Sequence, residues 1–116
     1  LTAILGGIIV AEEILYDKLI RDKIPEIIEN AGKEYEIHKA DQEEYIAKLL
    51  LKVEEELAEF KEEPSIAELA DLFEVLDAVI DYYDFDREEI ENYQENKRKE
   101  RGGFKKKLIL DKVIEK

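Results

Sequence analysis

Two groups of acidic residues are the part of this chain whose residue types and spacing could support chemistry. Glu55, Glu56 and Glu59 form an E-E-x-x-E pattern, and Glu68 and Asp71 form an E-x-x-D pattern. Residues three apart on a helix lie on one face, so each pattern offers one pair of carboxylates. The pairs are Glu56 with Glu59 and Glu68 with Asp71. Converging carboxylates repel one another, and a hard cation such as Mg²⁺ or Mn²⁺, which binds oxygen ligands, would relieve that repulsion.

The same acids also have an ordinary interpretation. The chain carries 31 Asp and Glu residues, so E-x-x-E spacing arises freely and most such side chains are solvated. Glu68 would already serve as the third residue of a capping box that begins at Ser65. Helical-wheel positions favour the metal site, because Glu56 borders the apolar stripe of its helix and Glu68 lies near Leu72 and Val75. An acid that borders a core needs a partner.

Two groups of basic residues stand apart from these acids. Residues 97–107 contain seven cations and one acid, and Lys18, Arg21 and Lys23 form a second group. A metal-bound polyphosphate needs acids for its metal and cations for its phosphates. The alternative for residues 97–107 is a set of cations that stabilise a helix C-terminus, followed by a solvated charge run.

Composition excludes several other functions. The net charge of −13 would repel a phosphate backbone, so nucleic acid is not an expected partner. The absence of cysteine excludes thiolate nucleophiles and zinc–thiolate sites, and the single His38 excludes a His-rich metal site or a His pair. No apolar run reaches the roughly 20 residues that span a bilayer, so no membrane partner is expected. Abundant Lys, Glu and Ile resemble hyperthermophile composition, and a reducing cytoplasm is the expected compartment.

The elements that must position the acids are predicted to be helices. Residues 1–15 form an apolar N-terminal extension, either a terminal strand or helix or a segment outside the native fold, and residues 16–116 form one domain. Capping boxes at Asp41, Ser65 and Asp86 predict helices over 41–63, 66–83 and 86–101. A short helix over 26–31 follows Pro25 and ends at Gly32. Residues 34–40 are predicted to be a short strand or extended arm, and 107–110 a closing strand.

The expected fold class is therefore all-α, with short extended arms. The short turn at Pro64 predicts an antiparallel hairpin of the two long helices, which brings the two acid pairs opposite each other. The helix over 66–83 is apolar around well over half its circumference, which is typical of a central helix. We expect a homodimer or homotetramer with this helix in the interface.

These motifs together resemble the all-α nucleotide pyrophosphohydrolases. The acid patterns on paired helices resemble MazG-like proteins, dimeric dUTPases and phosphoribosyl-ATP pyrophosphohydrolase. The R-D-K-I-P at residues 21–25 and the E-R-G-G-F at residues 100–104 look like the small MazG-like branch of house-cleaning enzymes. The resemblance extends from about Leu15 to the C-terminus.

The resemblance implies Mg²⁺-dependent hydrolysis of a nucleoside triphosphate to a monophosphate and pyrophosphate. It implies that the metal ligands are Glu56, Glu59, Glu68 and Asp71. Glu56 would also be catalytic. Glu55 would contact the metal ligands rather than the metal, or orient the water. The candidate phosphate contacts are Lys18, Arg21, Lys23, Lys97 and Arg101.

The chain departs from the family pattern in one respect, and two alternative functions stand beside this hypothesis. Only eight residues separate Glu59 from Glu68, so the substrate-facing loop of larger relatives is absent. The first alternative is phosphoribosyl-ATP hydrolysis in histidine biosynthesis. The second is a non-catalytic acidic helical module that dimerises or binds a partner.

Overall fold

The regular structure of the chain is a short strand pair followed by four helices. The computed structural model describes residues 2–5 and 8–116, with side chains from residue 12 onward. Strands β1 (Thr2–Leu5) and β2 (Ile8–Ala11) pair antiparallel, with Thr2 opposite Ala11 and Leu5 opposite Ile8. The helices are α1 (Ile24–Asn30), α2 (Gln42–Glu62), α3 (Ile66–Tyr83) and α4 (Arg87–Arg101). Between residues 12 and 116 all regular structure is helical, which confirms the predicted all-α class.

The helix boundaries follow the predicted capping residues. Asp41 accepts a hydrogen bond from the Glu44 backbone N–H at 2.8 Å, and the Ser65 hydroxyl accepts one from Glu68 at 3.2 Å. Asp86 caps α4 through the N–H of Glu88 at 3.0 Å, one residue earlier than the capping box with Glu89 predicted. Each cap satisfies a backbone donor that the first helical turn leaves without a partner.

A glycine ends the short helix α1. Gly32 has a φ of +75°, and its N–H donates to the Glu29 carbonyl while the N–H of Lys33 donates to the Ile28 carbonyl. This pair of bonds is a Schellman motif, which needs a left-handed residue at the position that Gly32 occupies. The turn directs the chain into the extended arm over residues 34–40. The predicted closing strand over residues 107–110 is wrong, because these residues have no strand partner and lie exposed.

Helices α2 and α3 pack against each other. Leu49 on α2 and Val75 on α3 are buried, and Glu56 is the one buried charged residue among those whose side chains are described. Many large apolar side chains stay exposed, including Phe73 at 58%. So small a core would stabilise a monomer weakly.

The chain divides into two compact units. The first contains the residues up to Leu76 and the second contains the residues from Asp77 onward. Both acid pairs lie in the first unit, and α4 lies in the second. None of the helices in the described residues has the length and apolar character that crossing a membrane requires.

Candidate metal and phosphate site

Three of the four predicted metal ligands converge in the first unit. One carboxylate oxygen from each of Glu56, Glu68 and Asp71 lies within 4.8 Å of the other two. Glu56 projects from the C-terminal half of α2, whereas Glu68 and Asp71 lie one turn apart at the start of α3. The short connection after α2 therefore brings the two acidic patterns face to face.

Burial distinguishes this cluster from the other acids of the chain. Glu56 is only 7% exposed. The Oε2 atoms of Glu56 and Glu68 are both buried, and neither has a hydrogen-bond partner among the described residues. A buried carboxylate oxygen without a partner is costly, so this arrangement is unfavourable unless something else occupies the space between the acids.

The electrostatics of the cluster lead to the same conclusion. Burial raises the pKa of Glu56, and the neighbouring charge of Glu59 raises it further. Desolvation also raises the pKa of Glu68, with added repulsion from Glu59 and Asp71. Both acids therefore hold their negative charge less readily than a solvated glutamate does.

The donor set suits a hard divalent cation. All three groups offer carboxylate oxygens, which Mg²⁺ and Mn²⁺ prefer. Two oxygens on opposite sides of Mg²⁺ are about 4.2 Å apart, twice the usual bond length. The observed separations, within 4.8 Å, therefore need only small side-chain adjustments.

Glu59, the fourth predicted ligand, borders the cluster. It is exposed, and its charge acts on both Glu56 and Glu68. Together with Glu62, Glu63 and Glu68 it lines a cavity of about 290 Å³. An entirely acidic lining repels free phosphate, so an anion could enter only with a cation.

Two of the predicted phosphate-binding cations contact acidic side chains of α2 and α3. Lys18 donates to Oε1 of Glu55 at 2.6 Å, and Arg21 donates through Nη2 to Oδ1 of Asp71 at 2.8 Å. The hydrogen bond to Glu55 raises the pKa of Lys18 and, in return, lowers that of Glu55. Lys23 is the N-cap residue of α1. The segment over residues 16–23, which we call the N-terminal arm, thus brings two cations to the site.

The other two predicted cations belong to the second unit. Lys97 and Arg101 lie on α4, where they line a shallow groove of about 200 Å³ together with Tyr93, Asn96 and Glu100. The ammonium of Lys97 lies 5.9 Å from the centre of the Tyr93 ring, within the range of a cation–π contact.

The sequence interpretation missed two lysines on α2. Lys52 lies 2.9 Å from Oε2 of Glu55 and 3.7 Å from Oε1 of Glu56. One turn earlier, Lys48 binds the backbone carbonyl of Asp17 at 2.8 Å and its carboxylate at 3.2 Å. Lys52 precedes the two glutamates by three and four residues, a spacing that predicts contact on a helix. The contact of Lys48 with the N-terminal arm has no such local signal.

Comparisons of the chain with protein-family models, with curated proteins and with solved structures found no match.

Proposed function

We propose that this protein is a metal-dependent nucleoside triphosphate pyrophosphohydrolase. It would convert a triphosphate and water to a monophosphate and pyrophosphate, and act on non-standard nucleotides in the cytoplasm. The observation that carries the proposal is the buried, unpartnered carboxylate oxygen of Glu56 beside Glu68 and Asp71, all within 4.8 Å. A solvated acidic helix has no reason to bury such an oxygen.

The residues of the cluster divide between holding a cation and handling the proton. Glu56, Glu68 and Asp71 would hold Mg²⁺ or Mn²⁺. A bound divalent cation would lower the pKa of water and offset the negative charge of the phosphates. Glu59 lines the acidic cavity from its exposed side, which suits it to accept the proton of the attacking water.

The neighbouring charges support a second set of roles. Both oxygens of Glu55 accept hydrogen bonds from lysines, Oε1 from Lys18 and Oε2 from Lys52. A carboxylate held in this way is a weak base, so its contacts support a role in orienting Lys18. Lys18 and Arg21 would contact the phosphates and stabilise the charge of the departing pyrophosphate. Lys23, Lys97 and Arg101 remain candidates for the same role.

The size of the cavity and the apolar surface support a homo-oligomer. The cavity of about 290 Å³ is at the lower limit of roughly 300 Å³ for small-molecule sites, so one chain would enclose a nucleoside triphosphate incompletely. Phe73 and Leu76 remain exposed on α3 beside the buried Val75. We propose a homodimer or homotetramer in which this face of α3 is covered and a second subunit helps to complete the substrate site.

Pyrophosphate release tests the proposed activity. Standard and modified nucleoside triphosphates and phosphoribosyl-ATP would be incubated with the protein in Mg²⁺, Mn²⁺ or EDTA. We expect metal-dependent release that is lost in Glu56→Gln and retained in Glu54→Gln, a matched change on the exposed side of α2. Strong preference for phosphoribosyl-ATP would assign the protein to histidine biosynthesis.

The negative result is equally informative. No release from any compound, with folded protein and metal present, would overturn the proposed activity in favour of a non-catalytic acidic module. Equal loss in the Glu54 and Glu56 variants would mean that the acidic cluster is not the site of reaction.

A further inference from the structure

Arg21 occupies one of the carboxylates that the proposed metal needs. Its Nη2 atom lies 2.8 Å from Oδ1 of Asp71, and Asp71 belongs to the cluster with Glu56 and Glu68. A guanidinium there and a divalent cation in the cluster compete for the same negative charge. When an anion accompanies the metal, the guanidinium can pair with that anion instead of Asp71, so the competition ends.

The Arg21–Asp71 pair is suited to exchange. The Arg21 side chain is 57% exposed and the Asp71 side chain is 43% exposed, and ion pairs so open to solvent contribute little free energy. Breaking the pair therefore costs little if another anion is available to the guanidinium. A phosphate group accepts two parallel N–H bonds from arginine, which makes it a stronger partner than a solvated carboxylate.

The N-terminal arm is anchored independently of this pair. Lys18 is bound to Glu55 at 2.6 Å, and Lys48 holds both the backbone carbonyl and the carboxylate of Asp17. On the other side of Arg21, its carbonyl accepts a hydrogen bond from the N–H of Ile24 at the start of α1. The guanidinium can therefore change partner while the backbone of the arm stays in place.

We propose that Arg21 makes the acidic site select a metal that carries phosphate over a metal alone. In the free protein Arg21 pairs with Asp71 and opposes the binding of a bare cation. When a metal–phosphate complex binds, Arg21 moves from Asp71 to a phosphate oxygen, so Asp71 is released to the metal. This inference rests on the proposed function, because it requires that Glu56, Glu68 and Asp71 bind a divalent cation.

The test compares two ligands on Arg21→Met. Isothermal titration calorimetry would measure the affinity for Mn²⁺ alone and, separately, for Mn²⁺ with inorganic pyrophosphate. The variant should bind Mn²⁺ alone about two- to fivefold more tightly, because an exposed competing ion pair is lost. It should bind the Mn²⁺–pyrophosphate complex at least about tenfold more weakly, because a charge-assisted hydrogen bond is lost. Arg21→Lys, which keeps the charge, should have affinities for both ligands that lie between those of the wild type and those of Arg21→Met.

Arg87→Met is the matched control. Arg87 forms a 2.8 Å ion pair with Asp77 in the second unit, at similar side-chain exposures of 51% and 48%. Its removal changes the net charge equally and should move both affinities in one direction by less than about twofold. Circular dichroism melting would verify that each variant is folded.

The outcomes separate this inference from the proposed function. If wild-type protein binds neither Mn²⁺ alone nor the Mn²⁺–pyrophosphate complex, or binds them equally well after Glu56→Gln, both proposals fail. If wild-type protein binds Mn²⁺ through Glu56 but Arg21→Met shifts both ligands in the same direction, or neither, the role of Arg21 is refuted while the metal site remains.

Discussion

Replacing Glu56 with glutamine should make the metal-free protein more stable and the metal-loaded protein less so. Glu56 is 7% exposed and its Oε2 atom is buried without a partner. Glutamine keeps the shape of the side chain, removes its charge and adds an amide donor among carboxylates. Glu54→Gln is the control, because Glu54 lies on the same helix and is exposed.

The magnitude in the absence of metal follows from three effects. At an effective dielectric constant of about 20, repulsion from Asp71 within 4.8 Å is at least about 3.5 kcal/mol. Attraction to Lys52 at 3.7 Å is about 4.5 kcal/mol, and it is more than offset once repulsion from Glu59, which acts on Glu56 more strongly than Lys52 does, is added to that from Asp71. Burial without a hydrogen bond adds a cost of about 1 kcal/mol or more, so the charge of Glu56 is destabilising overall. We expect Glu56→Gln to raise Tm in EDTA by about 4 °C.

Metal should reverse the order of the two proteins. At a free metal concentration of about 100 times Kd, binding stabilises the wild type by about 2.7 kcal/mol, which raises Tm by about 10 °C. If the loss of one of three carboxylates weakens binding about a hundredfold, the same metal concentration stabilises Glu56→Gln by only about 0.4 kcal/mol.

Differential scanning fluorimetry with EDTA and with increasing Mg²⁺ measures both effects. The reasoning is refuted if Glu56→Gln melts below the wild type in EDTA, or if it keeps the full metal-dependent rise in Tm. Glu54→Gln should match the wild type in both series.

Three further predictions concern pH, assembly and the α1 turn. Because Glu56 and Glu68 have raised pKa values in the folded protein, they bind protons more tightly there than in the unfolded chain. Their negative charges therefore destabilise the folded protein above the folded pKa, and this effect disappears below the ordinary glutamate pKa of about 4.3. The free energy of unfolding, measured with urea in EDTA from pH 4 to 8, should depend less steeply on pH in the Glu56→Gln/Glu68→Gln variant than in the wild type. Phe73→Glu, at an exposed apolar position of α3, should dissociate the expected dimer or tetramer, as sedimentation velocity would detect; an unchanged sedimentation coefficient would mean that this face is not the interface. Gly32→Ala should lower Tm by about 4 °C, since the φ of +75° costs a residue with a Cβ about 1 kcal/mol; no clash contributes, because nothing lies within 4 Å of the added atom.

The helical elements were predictable because their ends are encoded locally. Asp41, Ser65 and Asp86 each accept a backbone N–H in the following turn, and Gly32 and Gly102 have positive φ after the ends of α1 and α4. The apolar stretch at residues 107–110 misled the prediction, because a strand needs a partner and local composition does not supply one.

The acidic cluster was predictable in part. The i,i+3 spacing placed Glu68 and Asp71 on one face, and the short connection at Pro64 brought that face toward Glu56. The attachment of the N-terminal arm was not predictable, because its ion pairs join Lys18 to Glu55 across 37 residues and Arg21 to Asp71 across 50. Periodicity and capping carry no information on contacts at that separation.

The contacts within the acidic cluster and those of the N-terminal arm differ in sequence separation, and this difference indicates which should form first during folding. Glu56 and Asp71 are 15 positions apart on helices joined by a short connection, so the α2–α3 hairpin can close with a small loss of chain entropy. The arm must close a far longer loop before Arg21 reaches Asp71. We therefore expect the acidic cluster to form with the hairpin, and its mutual repulsion, which Lys52 offsets only in part, to oppose the first pairing of α2 with α3 until a further counter-charge arrives. A divalent cation present during folding would serve as that counter-charge, so it should accelerate folding as well as slow unfolding.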